Sequence, residues 1–155
     1  MSTNEILTEV RQFDGVLELA PEPDSEFPPI SWGDHFFYWS PDGTVPDNRQ
    51  PYATIITKDY PDDTTSRLDG PDRWRLNIHV GAVRFTELIG ESPRAFVPRD
   101  FAEADVVLPH PLYGALGWIS IVMPGDRTKR RALDLLREAH AEDRRRVERR
   151  SRSRS

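Results

Sequence analysis

Between residues 73 and 80 the chain alternates without a break, and this alternation constrains its fold more than any other feature. Trp74, Leu76, Ile78 and Val80 fall on one side of an extended ribbon, while Arg73, Arg75, Asn77 and His79 fall on the other. A period of two does not fit the face of a helix. A strand that is apolar on one side only belongs in an antiparallel sheet, with helices over that side.

Other segments extend the pattern. Residues 35–40 are aromatic and run into a Pro41-Asp42-Gly43 turn; residues 52–58 are apolar and β-branched; 118–123 form a further apolar run. Shorter extended pieces are expected at 16–20 and 105–108. Ser2 with Glu5 matches a reciprocal capping box, and Ile6, Val10 and Phe13 follow at helical spacing, so a helix is expected over 3–12. A short helix is expected over 83–89, with Gly90 at its end. A last helix opens near Asp126, capped by Asp126 or Thr128, with Ala132, Leu135, Leu136 and Ala139 as its inward stripe. These pieces predict one α+β domain over residues 1–145. Its meandering, mostly antiparallel sheet of five or six strands is covered on one face by the N- and C-terminal helices. Residues 146–155 are expected to be a basic, disordered tail.

The chain has no cysteine, which excludes disulfides, thiolate metal sites and cysteine nucleophiles. Acidic Glu5 and Glu9 stand where a signal peptide needs basic residues, and no apolar run reaches membrane-spanning length. A soluble, cytoplasmic protein without membrane attachment is the expectation. The net charge of −5 conceals an asymmetry: residues 127–155 hold 12 Lys/Arg against 5 Asp/Glu, and the remainder holds 9 against 21. An acidic body with a basic end is unlike a dedicated nucleic-acid domain, whose folded surface is itself basic.

Several residue groups are candidates for chemistry. Arg75, Asn77 and His79 project in a row that suits a carboxylate or phosphate, although a solvated face is the commoner outcome. The run from Pro109 to Trp118 is stiffened by Pro109 and Pro111, and Gly114 and Gly117 permit positive φ or close approach. That run presents His110 and Tyr113, either for acid–base work or as a buried turn histidine. Asp59, Asp62 and Asp63 surround Tyr60-Pro61; they lack the spacing of a calcium loop, and turn hydrogen bonds are the commoner use. The four histidines include no His-x-x-x-His pair, so neither a metal nor any other cofactor is expected.

Phe36 and Tyr38 share one face of an aromatic strand, with Phe37 and Trp39 on the other. Helices cover one of these faces. The surplus aromatic face needs a loop, a partner or a ligand, and is the best argument for a pocket.

The chain resembles an uncharacterised actinobacterial family of domain-of-unknown-function type. The resemblance rests on Trp32-Gly33-Asp34, Phe36-Phe37-Tyr38, the Tyr52-to-Asp63 segment, Arg75-Leu76-Asn77-Ile78 and the His110-to-Trp118 run, and spans residues 3 to about 145. It carries no known activity. A fainter likeness, through Gly117-Trp118-Ile119 and the helix from Asp126, is to MmcQ/YjbR-like domains. It implies an N-terminal helix, a meandering antiparallel sheet and a terminal helix, in a fold sometimes compared with nucleic-acid-binding modules.

Three functions follow as expectations. The first is a non-enzymatic domain binding a small anionic ligand or a protein partner, in a polar and aromatic cleft formed by Trp32, His35, Lys58, Arg75, Asn77, His79, His110 and Tyr113. The second is a small hydrolase or transferase using His110 or His79 with an aspartate. The third is a nucleic-acid-associated module making weak contacts through its Arg-rich end.

Overall fold

The structure is a computed structural model that describes residues 2–95 and 97–153. Helix α1 (Thr3–Val10) starts at the expected reciprocal cap. Glu5 N donates to Ser2 Oγ at 3.3 Å, and Ser2 N donates to Glu5 Oε1 at 3.1 Å. Six strands follow among the described residues: β1 (Val16–Leu19), β2 (His35–Trp39), β3 (Ala53–Ile56), β4 (Arg75–His79), β5 (Leu108–Pro109) and β6 (Trp118–Val122). They form one sheet in the order β1-β2-β3-β4-β6-β5, and every neighbouring pair is antiparallel. The alternating segment is therefore the central ribbon, flanked by β3 and β6.

Pairing register sorts the side chains into two faces. Ile55, Leu76 and Ile121 align across three strands, as do Ala53, Ile78 and Ile119. These pack with Phe37 against Ile6 and Val10 of α1, and against Leu135 and Leu136 of α3 (Lys129–Ser153). Each of the side chains named in this layer is fully buried. Removing such area from water at about 25 cal/mol per Å² makes this layer the main source of stability. The expected α+β class, with terminal helices on one sheet face, is what the chain adopts.

Local boundaries depart from the expectations for identifiable reasons. β3 stops at Ile56 rather than residue 58, because Thr57 turns its N–H and hydroxyl onto Asp34 Oδ1, at 2.8 and 2.7 Å. β5 is shorter than 105–108: Asp105 takes a left-handed backbone (φ 59) and accepts from the N–H groups of Gly125, Arg127 and Thr128. Helix α2 (Gly81–Ile89) begins two residues early.

The Arg-rich end, expected to be a disordered tail over 146–155, is instead helical to Ser153; Arg154 and Ser155 lie outside the described residues. Its charges form a ladder on the helix surface, Arg144–Glu148 at i,i+4 and Arg145–Glu142 at i,i+3, which supports helix where composition alone suggested none.

Gly117 positions the loop before β6. Its φ is +85°, and a Cβ there would lie 2.9 Å from the backbone of Gly81. Its carbonyl accepts from Val80 N at 2.9 Å and Gly81 N at 3.1 Å. The loop carrying His110 and Tyr113 is thereby fastened beside the end of β4, next to the sheet face that the helices do not cover.

Candidate functional site

The sheet face away from α1 and α3 carries Phe36, Thr54, Asn77 and Ser120 in one row across β2, β3, β4 and β6. Its polar half is not solvated, contrary to the commoner outcome for such a face. Arg75 is 1% exposed and Asn77 2%, sealed in by the 60–66 segment and the His110 loop.

Four of the five N–H groups of the Arg75 guanidinium have acceptors among the neighbours. Nη1 and Nη2 donate to the two carboxylate oxygens of Asp63 at 2.9 and 2.5 Å. Nη1 also donates to Ser66 Oγ at 3.0 Å, and Nε donates to Asn77 Oδ1 at 2.8 Å. Asn77 Oδ1 accepts a second bond from Ser120 Oγ at 2.8 Å, and Asn77 Nδ2 donates to Thr54 Oγ1 at 3.0 Å. Burial raises the Asp63 carboxyl, but the hydrogen bond and charge of Arg75 outweigh it and hold the group below its ordinary value. A guanidinium so occupied has no fork left for an incoming anion.

His110 caps its own turn. Nδ1 accepts from Leu112 N and Tyr113 N, both at 3.1 Å, so the neutral ring carries its proton on Nε2. That nitrogen lies 3.3 Å from Arg75 Nη2, and two donors in contact make no hydrogen bond. Burial first, and the adjacent guanidinium second, push the imidazole down to about 3, while Asp63 opposes them. Neither ring nitrogen has a lone pair to take a proton from a substrate, so His110 is not placed as a general base.

Beside this network lies a cavity of about 650 Å³. Leu19, Phe36, Tyr38, Thr54, Ile56 and Trp118 of the sheet line it, together with Phe27 and Pro28, Tyr60, Asp62 and Asp63, and Leu112, Tyr113 and Leu116 from the loops. The surplus aromatic face of β2 is accounted for: Phe37 goes to the helices, while Phe36 and Tyr38 line the cavity. The buried network meets the cavity at two residues, Asp63 and Thr54. Thr54 Oγ1 accepts from Asn77, and its own O–H has no acceptor among the described residues. A cavity of this size, apolar with few polar groups, has the character of a small-molecule site.

Of the residues named from sequence, Tyr113 lines the cavity, and Arg75, Asn77 and His110 form the network beside it. Trp32 and Lys58 belong to a neighbouring cluster on fully buried Asp34. Lys58 Nζ donates to Asp34 Oδ1 at 3.0 Å and to the Trp32 carbonyl at 2.8 Å, and Tyr60 OH donates to Asp34 Oδ2 at 2.6 Å. Burial, then that bond, raise the Tyr60 phenol.

His35 is not in the cleft. It points to the helix side, where Nδ1 meets Glu18 Oε2 at 2.7 Å, because its register places it with Ile55 rather than Thr54. His79 sits at the end of β4 with Nε2 on the Leu116 carbonyl at 3.0 Å, and burial lowers its affinity for a proton. No aspartate hydrogen-bonds to either His79 or His110 among the described residues. Asp59 serves turn geometry, accepting from Leu68 N at 2.8 Å. No group of three or more His, Asp or Glu is arranged for a metal ion among the described residues.

Sequence reasoning missed Asp34 and Thr54. The available signals were a carboxylate directly before an aromatic strand, and the one hydroxyl within the apolar strand β3.

No helix among the described residues is long and apolar enough to cross a membrane. Neither the curated proteins nor the solved structures contain a match. A family of unknown function, DUF6194, matches residues 1–152, and the chain belongs to that family.

Proposed function

We propose that this chain is a non-enzymatic binding domain for a small, largely apolar molecule held on the open face of the sheet. The observation that carries this reading is the cavity of about 650 Å³ over Phe36, Tyr38, Thr54 and Trp118. Filling an apolar cavity removes both ligand and protein surface from water, and stacking on aromatic walls adds to this. The Thr54 hydroxyl offers one oriented donor in an otherwise apolar floor. The rim supports the same reading, since Leu112, Tyr113 and Leu116 are 42, 47 and 68% exposed and gain cover when the cavity is filled. An anion finds no free donor fork on Arg75, because Asp63, Ser66 and Asn77 already take four of its N–H groups.

The test is a titration with naphthalen-1-ylmethanol, followed by calorimetry and by backbone amide shifts. A saturable one-to-one complex is expected, with shifts concentrated in β2, β3, β6, the 60–63 turn and the 112–116 loop. Failure to saturate, or shifts centred on α1 and α3, would overturn the reading.

A further inference from the structure

We infer that the occupant of the cavity carries positive charge: a hydrophobic organic cation, such as a protonated arylalkylamine. This inference rests on the cavity being a ligand site, and it follows from the charges around it. Three cations lie close by, and each is matched to its own carboxylate. Lys58 pairs with Asp34 at 3.0 Å, Arg75 with Asp63 at 2.5 Å, and Arg49, stacked 5.9 Å from the Tyr38 ring centroid, with Asp143 at 2.5 Å. The charged residues that line the cavity are Asp62 and Asp63. Asp63 is cancelled by Arg75. Asp62, on the exposed wall, has no hydrogen bond or ion pair among the described residues. Of the two charged residues lining the cavity, Asp62 is thus the one left unpaired among the described residues, at the rim of an aromatic chamber.

Two effects then favour a cation over a neutral molecule of the same shape. The first is attraction to the Asp62 carboxylate, modest because water reaches it. The second is the aromatic lining of Phe27, Phe36 and Trp118, which attracts a cation brought over a ring face; Tyr38 is left out because Arg49 already lies over its ring. An anion meets the opposite field. The guanidinium that would have received it is already occupied.

The experiment compares three probes of matched shape near pH 7: naphthalen-1-ylmethylammonium, naphthalen-1-ylmethanol and 1-naphthoate, each titrated by calorimetry into the full chain and into Asp62→Asn. The ammonium probe is expected to bind about three- to tenfold tighter than the alcohol, and naphthoate more weakly than both. Asp62→Asn should narrow the ammonium advantage to about twofold or less, weakening the ammonium probe more than the alcohol; added salt should narrow it in the wild-type chain. The alcohol binding as tightly as the ammonium probe, or an undiminished preference in Asp62→Asn, would overturn the charge assignment and leave the cavity reading standing. Binding of none of the three would overturn both.

Discussion

The two faces of the sheet are built from the same strands yet are closed in different ways. On the helix side, Leu76 and Ile78 pack against regular elements whose apolar stripes match theirs, and both side chains are fully buried. On the other side, Arg75 and Asn77 are covered by loops, and loops do not interdigitate with a sheet as helices do. What closes that face is a chain of hydrogen bonds, Ser66–Arg75–Asp63 and Ser120–Asn77–Thr54, and it closes only the half above β4 and β6. The half above β2 and β3 remains a cavity. Packing therefore governs one face and polar satisfaction the other, and the opening falls where the polar network ends.

Removing the centre of the network tests this division most severely. Arg75→Met leaves Asp63 buried without its partner and is expected to cost about 3–5 kcal/mol in urea unfolding. The double variant Arg75→Met with Asp63→Asn should recover much of that loss. A double variant no more stable than the single one would mean that the charge pair does not close the loop face. Ile78→Ala removes apolar volume on the helix face and is expected to cost about 2–5 kcal/mol while leaving the affinity for naphthalen-1-ylmethanol unchanged. If that substitution weakens binding several-fold, the two faces are coupled and the comparison fails.

On the loop face, stability also depends on pH through His110. The folded pKa of His110, pushed down to about 3, lies below its unfolded value. The unfolded chain therefore binds more protons between about pH 6.5 and 3, and stability falls as pH falls through that window, by about 1.4 kcal/mol per unit at the steepest. Asp63, also lowered, contributes a loss confined to more acidic conditions, below about pH 4 where an unfolded aspartate begins to protonate. His110→Asn keeps an acceptor for Leu112 N and Tyr113 N but cannot titrate, so its stability between pH 6 and 4 should be the flatter curve. Equal slopes in the two proteins would remove His110 from the buried network. The smallest effect is expected at the rim: Leu116→Ser should change stability by no more than about 0.5 kcal/mol, since the side chain is largely exposed. It should nevertheless weaken naphthalen-1-ylmethanol binding about twofold by calorimetry, and unchanged binding would exclude the 112–116 loop from the site.

How far the sequence could be read followed the range of the interactions involved. The central ribbon, the Ser2–Glu5 cap and the apolar stripe of α3 are local patterns, repeated by the backbone geometry that makes them, and they are visible residue by residue. The split of the β2 aromatics between two environments was legible for the same reason, because alternate side chains must face opposite ways. The role of His110 was not. Nothing in its neighbours announces that Arg75, 35 positions away, will press against Nε2 and fix the ring in its neutral form. His35 was misplaced because its face depends on pairing register, which one strand alone does not disclose. The helical end to Ser153 is written in i,i+3 and i,i+4 charge spacing, a signal that Arg-rich composition masks.

By itself, then, the sequence determined the element types, their approximate order and the antiparallel character of the sheet, since these follow from side-chain periodicity and capping along a few consecutive residues. Tertiary structure alone decided which charges cancel and where an opening remains. Asp63, Arg75 and Asp34 are single letters of no special spacing; their meaning is fixed when loops distant in the chain deliver a partner at hydrogen-bond distance, in surroundings too dry for any of them to stay unpaired.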